Sequence, residues 1–272
     1  MDRSISDTAA RYERDGYVIP DSRLAPEQLA EMQRALDDMI EENPDRRPEH
    51  LVLRWGGGDK ALPTHQKFLE LACSDSILDE VEKIVGPDIV CWGAHIFCKP
   101  GGTGLEVPWH QDGQYWPIRP LATSTVWIAL DDSNEENGCL RVIRGSHRTK
   151  TTYHHKRDER PEYAVNQIIE SDDLDTDSKV NIELKAGEMS IHDAYTVHGS
   201  LPNHSSKRRA GVTLRYMPAT SLYDRSIKMT GGSRALRQDM SIRPIYLVRG
   251  QDRAGNDFDC GQDIPFEVGV AD

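Results

Sequence analysis

Among ten histidines in the chain, one segment sets two metal-ligand types at a spacing that an ion could use. In Val107-Pro108-Trp109-His110-Gln111-Asp112-Gly113, His110 and Asp112 are two residues apart. Residues so spaced on a strand project to the same face, so an imidazole and a carboxylate can point together at one ion. A second segment, Ala194-Tyr195-Thr196-Val197-His198-Gly199-Ser200, offers another imidazole after 85 intervening residues. Two imidazoles and one carboxylate on one face of an octahedron form the facial triad of non-haem Fe(II) oxygenases, which leaves open positions for a co-substrate and O2. A divalent cation held this way keeps about one unit of positive charge, which suits chelation by a dianionic 2-oxo acid. The distal carboxylate of such an acid fits a planar guanidinium fork. Arg209, eleven residues after His198, opens the run Arg-Ala-Gly-Val-Thr-Leu-Arg-Tyr.

Taken alone, His-x-Asp is a weak pattern, because most such pairs are surface charge pairs. Rivals also exist for each partner: His192 lies six residues before His198, and Arg208 and Arg215 flank the choice of Arg209. Period-two geometry puts Arg209 and Arg215 on one face of a strand and Arg208 on the other, so Arg208 is expected to be solvated and Arg215 to be a second inward charge. His147, after a Gly-Ser turn, reads as structural, and His154 and His155 read as solvent-facing.

The elements that must position these groups change character along the chain. Residues 4 to 15, 26 to 42 and 75 to 85 read as helices, the first stopped by Gly16 and the third by Gly86-Pro87. Pro26 suits a first helical position, and Leu29, Met32, Leu36 and Ile40 give the second helix an apolar stripe. Arg46 to Lys60, with glycines at 56 to 58, reads as a loop. From residue 88 the period becomes two: Ile89 to Cys98, Thr123 to Leu130, Cys139 to Ile143, Val180 to Leu184, Glu188 to His192 and Arg209 to Met217 are strand-like, separated by turns such as Asn137-Gly138. Several short strands so spaced imply a sandwich or barrel. Thr149 to Lys179 is too charged for a core strand and reads as a surface excursion of the kind that covers sites. The expected organisation is a single domain over 1–272, with a helical flank (1–87), a β core (88–220) and a C-terminal extension (221–272).

Composition removes several classes of function. With 33 basic against 45 acidic side chains the formal charge is −12, which argues against nucleic acid as a partner. No run of about 18 apolar residues offers a membrane span, and the opening MDRSISDTAARYERDG is charged from residue 2, unlike a signal peptide. Five cysteines, an odd number with no Cys-x-x-Cys pair, fit reduced, buried thiols and a cytoplasmic setting.

The run His110-Gln111-Asp112-Gly-Gln-Tyr115-Trp116-Pro117-Ile-Arg119-Pro120, then Asn137-Gly138-Cys139-Leu140, Gly145-Ser146-His147, His198-Gly199-Ser200 and Arg209, resembles the phytanoyl-CoA dioxygenase family of Fe(II)/2-oxoglutarate oxygenases. The resemblance extends over roughly residues 10 to 225 in order and spacing. It implies a mainly β fold with N-terminal helices, a double-stranded β-helix or jelly roll, with iron at one mouth. It implies His110, Asp112 and His198 as iron ligands, His198 being favoured over His192 by the Gly-Ser that follows it. It further implies Arg209 as the anchor of 2-oxoglutarate, with Lys99, Trp127 and Ser200 lining the co-substrate. The activity implied is oxidation of an unactivated C–H bond with release of succinate and CO2, and the presence of Asp112, which related halogenases lack, points to hydroxylation. Because the excursion mixes charge signs instead of concentrating Lys and Arg, a small polar metabolite is the expected substrate, contacted by Tyr115, Trp116 and Arg119. An acyl-CoA α-hydroxylase is the runner-up, and a non-catalytic metal-binding jelly roll is the alternative from another class.

Overall fold

Alternation of side chains along the strands divides this fold into an apolar outside and a polar inside. In a computed structural model, residues 3–170, 172, 174–227 and 239–264 are described, with side chains in the first helix described from residue 7. Along the chain come α1 (Arg3–Asp15), β1 (Tyr17–Val18), α2 (Pro26–Glu41), α3 (Pro63–Ala72), α4 (Asp75–Val85), β2 (Ile89–Lys99) and β3 (Val107–His110). There follow β4 (Ile118–Arg119), β5 (Ser124–Ala129), β6 (Leu140–Ile143), β7 (His155–Arg157), β8 (Gln167–Ile169) and β9 (Lys179–Ile182). The described chain closes with β10 (Met189–Asp193), β11 (His198–Ser200), β12 (Arg209–Pro218), β13 (Leu222–Tyr223) and β14 (Tyr246–Arg249).

Two antiparallel sheets make the jelly roll, a six-stranded sheet in the order β1-β10-β5-β12-β2-β14 and a four-stranded sheet in the order β3-β11-β6-β9. Outward-pointing Ala94, Ile96, Val126, Ile128, Met189, Ile191, Val212 and Leu214 of the larger sheet share one core with helix residues such as Leu36, Phe68, Leu71, Ile77 and Val81. Their neighbours in sequence, among them His95, Phe97, Thr125, Trp127, His192, Arg209, Thr213 and Arg215, face the other way, into the barrel. The three expected helices form where the periodicity puts them. Helix α3 was not anticipated: it is ten residues long, with His65, Phe68, Leu71 and Ala72 buried, and its periodic signal is short. The loop at 46–60 is tied down by short turns and by His65, whose Nδ1 accepts the Arg54 amide at 2.8 Å.

Beyond residue 220 the described chain rejoins the β core, because β14 pairs with β2 at the edge of the larger sheet. The excursion at 149–179 carries a hairpin of its own, β7 with β8, outside both main sheets. One expectation there is corrected: His155 is partly buried, not solvent-facing, and its Nε2 accepts the Gln111 amide at 2.8 Å. The pairing is long-range, so the charged local sequence gave no sign of it. Burial pushes the His155 imidazole down to about 4, which suits an acceptor. His154 is exposed, as expected, and His147 is buried with Nε2 on the Glu13 carbonyl at 2.9 Å. All five cysteines are unpaired thiols, and burial raises Cys98 to about 12 and Cys139 to about 11.

Candidate metal and co-substrate site

Strand register, not local spacing, brings the two distant imidazoles together. β11 pairs antiparallel with β3 so that His198 stands directly opposite His110, and their ring centroids are 4.2 Å apart. Gly199 is needed at this crossing, because a Cβ there would lie 2.8 Å from the Val107 carbonyl oxygen. The strand ends at His110, and Asp112 opens a short 3-10 turn instead of continuing it, which differs from the alternation argument. The turn still presents the carboxylate: Asp112 Oδ1 is 3.9 Å from His110 Nε2. One ligand atom from each of His110, Asp112 and His198 lies within 4.8 Å of the others, and all three residues are buried.

The hydrogen bonds prepare this set for a cation. His110 Nδ1 donates to the Pro108 carbonyl at 2.9 Å and His198 Nδ1 to the Thr196 carbonyl at 3.0 Å. A carbonyl can only accept, so each ring carries its proton on Nδ1 and turns a bare Nε2 lone pair inward. Burial lowers both imidazoles, His198 well below the usual range, so they stay neutral. Burial alone would raise the Asp112 carboxyl, but His192, His198, Arg215 and His110 around it outweigh that and hold it well below the usual carboxylate range. Thr125 Oγ1 donates to Asp112 Oδ2 at 3.3 Å. Two neutral imidazoles and one ionised carboxylate, buried and preoriented, fit a divalent first-row metal.

These groups line a cleft that also exposes Trp127, Ser200, Arg209 and Arg215. Arg209 is 3% exposed and has no ion pair among the described residues. It donates Nη2 to the Gly138 carbonyl at 2.8 Å, with Ser200 Oγ at 3.5 Å, and its Nε has no partner. Burial pushes its guanidinium down to about 10. Trp127 lies 5.4 Å beneath that guanidinium, and Gly211 makes room for the indole, since a Cβ there would come within 2.3 Å of it. A desolvated guanidinium without a carboxylate partner among the described residues, in the same cleft as a candidate metal triad, has the chemistry to pair with one end of a dicarboxylate.

The remaining sequence candidates lie around this cleft. Lys99 is 2% exposed and sits beside Arg209 in the sheet, its Nζ donating to the Leu201 and Ser200 carbonyls and not reaching the cleft wall. Trp116 is packed in the core against Trp92, 4.5 Å between ring centroids. Tyr115 is partly exposed, with its phenol raised to about 12 by burial, and Arg119 is exposed, with Nη1 on the Trp116 and Ile118 carbonyls. None of these three lines the cleft. Arg208 faces away from it and pairs with Asp131 at 2.8 Å and Asp37 at 2.6 Å.

The structure gives two further residues a place at the site. His192, a rival ligand by sequence, is buried, with no hydrogen bond at either ring nitrogen among the described residues, its Nε2 3.8 Å from Asp112 Oδ2 and its ring 4.7 Å from that of His198. Gln111, between two triad residues and 0% exposed, fastens the metal strand to the excursion by donating Nε2 to the Thr151 and Tyr195 carbonyls and accepting the Tyr153 amide. Its position inside His-x-Asp was the available signal.

The model of the phytanoyl-CoA dioxygenase family matches residues 12–211. The chain belongs to that family. Within it, the chain is 32% identical over 151 residues to a probable alpha-ketoglutarate-dependent hypophosphite dioxygenase of Stutzerimonas stutzeri, a match covering 55% of this chain and 52% of that protein. It is 25% identical over 232 residues to the ectoine dioxygenase of Bordetella parapertussis, covering 78% of this chain and 74% of the relative. The match thus spans about half the length of the first relative and about three quarters of the second. Among solved structures, the non-heme monooxygenase ThoJ in its apo form superposes with a TM-score of 0.66 at 25% identity, covering 93% of this chain and 90% of that one.

Proposed function

We propose that this member of the phytanoyl-CoA dioxygenase family is an Fe(II)- and 2-oxoglutarate-dependent dioxygenase. It hydroxylates an unactivated C–H bond of a small polar metabolite and releases succinate and CO2. The observation that carries this reading is the placement, in one cleft, of a three-ligand metal set and the desolvated, carboxylate-free Arg209. His110, Asp112 and His198 hold the iron, and Arg209 takes the distal carboxylate of 2-oxoglutarate, with Ser200 and Trp127 forming the wall beside it and Lys99 packed behind. When bound, the iron supplies the centre at which O2 is reduced by the co-substrate and the substrate. The chain's own part is to keep both imidazoles neutral and oriented, to hold Asp112 ionised, and to exclude water from the cleft.

A small polar substrate is supported by relatives named for ectoine and hypophosphite. In this reading Tyr115 and Arg119, which do not line the cleft wall, meet the substrate outside it, with Trp116 in the core behind Tyr115. We read 1–272 as one oxygenase domain, with the 88–220 core flanked by helices and by a C-terminal extension that adds β14 to the larger sheet. No helix among the described residues is long and apolar enough to cross a membrane. The unpaired thiols support a cytoplasmic location.

The deciding experiment is an anaerobic titration of Fe(II)-loaded protein with 2-oxoglutarate, following the visible charge-transfer band of the chelate. The band is expected in the wild type, absent in His198→Ala and shifted to higher 2-oxoglutarate concentration in Arg209→Ala. Iron-loaded wild type without a band would refute the reading. Succinate release on adding candidate substrates then separates the rivals: stimulation by acyl-CoA thioesters alone selects the acyl-CoA reading, and co-substrate binding without O2-dependent succinate release selects a non-catalytic binder.

A further inference from the structure

The cleft wall contains a second guanidinium besides Arg209. Arg215 lies on the same strand and face as Arg209, six residues on, which at about 3.3 Å per residue separates the two Cα atoms by roughly 20 Å. Register places Arg215 beside Thr125 and, across β5, His192. Thr125 is the residue that donates to Asp112, so Arg215 stands at the metal-carboxylate end of the cleft and Arg209 at the other. A bulge after Arg215 turns Trp92 into a cluster with Trp116, and the guanidinium rests 5.2 Å from the Trp116 ring and 5.8 Å from that of Trp92. It makes no hydrogen bond or ion pair with any described residue, and its Nε is buried without a partner.

Charge balance says what is missing. Asp112, Arg209 and Arg215 are the charged residues of the cleft wall. A divalent metal and a dianionic co-substrate cancel one another, and Asp112 offsets one guanidinium, which leaves one positive charge at the Arg215 end. Arg215 is partly exposed at the cleft wall, and a guanidinium with no counter-ion of its own among the described residues is matched there by the planar fork of a carboxylate or similar oxyanion.

We propose that Arg215 is the substrate anchor, and that the substrate is a small monoanion whose carboxylate or phosphonate-type oxyanion pairs with this guanidinium while the rest of the molecule reaches toward the triad. This rests on the oxygenase reading and narrows its substrate class. Trp116, expected from sequence to touch substrate, acts instead as a positioning residue beneath Arg215. The rival explanation, that Arg215 only packs on two indoles and offsets Asp112, predicts no preference for anions.

The test uses full-length protein loaded anaerobically with Fe(II) and 2-oxoglutarate and titrated calorimetrically with matched pairs, hexanoate against hexanamide and benzoate against benzamide, and with methylphosphonate. For the wild type at least one acid, or methylphosphonate, is expected to bind at least tenfold more tightly than the neutral amides. Arg215→Gln should abolish that preference while the affinity for 2-oxoglutarate changes less than threefold. Arg215→Lys, which keeps the charge but not the fork, should weaken acid binding three- to tenfold and leave amide binding alone, and it decides the matter if the Gln variant does not fold. The proposal is overturned if the wild type does not discriminate, if Arg215→Gln retains the preference, if acid binding is unchanged in Arg215→Lys, or if the variants lose 2-oxoglutarate instead. An intact charge-transfer band with no anion preference sinks only this inference, whereas a missing band sinks the oxygenase reading beneath it.

Discussion

The two faces of the six-stranded sheet are built from the same strands and are both largely buried, yet they serve opposite ends. Outward, Val126, Ile128, Val212 and Leu214 are fully shielded by the helices and contribute burial of apolar surface. Inward, Thr125, Trp127, Arg209, Thr213 and Arg215 line a polar cleft in which desolvation lowers Arg209 to about 10 and holds the triad histidines neutral. One face is a source of stability, and the other is carried by it at a cost. A residue's burial therefore does not say which role it has, whereas its parity along the strand does.

The largest separation between the faces is expected at the triad. Asp112→Ala should reduce substrate-dependent succinate formation by more than about a hundredfold, beyond what the loss of a supporting contact gives. Its melting temperature should stay within a few degrees of wild type, and a large fall measured by calorimetry would show that the inner face also holds the fold together. The mirror experiment is Leu214→Ala, which should destabilise the protein by about 2–5 kcal/mol in denaturant unfolding while the folded fraction keeps its affinity for 2-oxoglutarate. Loss of that affinity in folded protein would erase the distinction.

Gly211→Ala tests how finely the inner face is fitted. The added methyl must displace the Trp127 indole, so about 1–3 kcal/mol of overpacking is expected, with 2-oxoglutarate binding weakened more than metal binding. The smallest effect is a pH dependence that belongs to the outer side. Burial, then the charge of Arg54, lower His65 to about 4, below its unfolded value near 6.5, so the unfolded chain takes up the proton first. Its contribution is complete above about pH 6.5 and is lost as pH falls toward 4, amounting to about 2 kcal/mol between pH 7 and pH 5. Protonation also removes the lone pair that accepts the Arg54 amide. His65→Gln should flatten that part of the stability profile, and an unchanged slope would assign the acid sensitivity to the inner histidines.

Much of this was legible because strands and helices leave periodic traces. The β-branched, alternating runs from residue 88 mark the strands, and the order His110, Asp112, His198, Arg209 marks the donors that meet in the cleft. Helix α3 escaped because ten residues carry few periods, and His155 because its partner, Gln111, is 44 residues away. Tyr115, Trp116 and Arg119 follow Asp112 closely in sequence but leave the cleft after the 3-10 turn.

By itself the sequence determined the types of donor, the period-two alternation that sorts polar from apolar faces, and the net acidic charge of −12. These are local or compositional properties, and chain order is enough to express them. Only the tertiary structure decided that His198 lies opposite His110, that Asp112 leaves the strand and still meets both rings, and that Arg215, inward as its parity predicts, has no hydrogen-bond partner among the described residues. The physical reason is that such meetings are set by the register of strands far apart in the chain, and register follows from packing the whole apolar face at once.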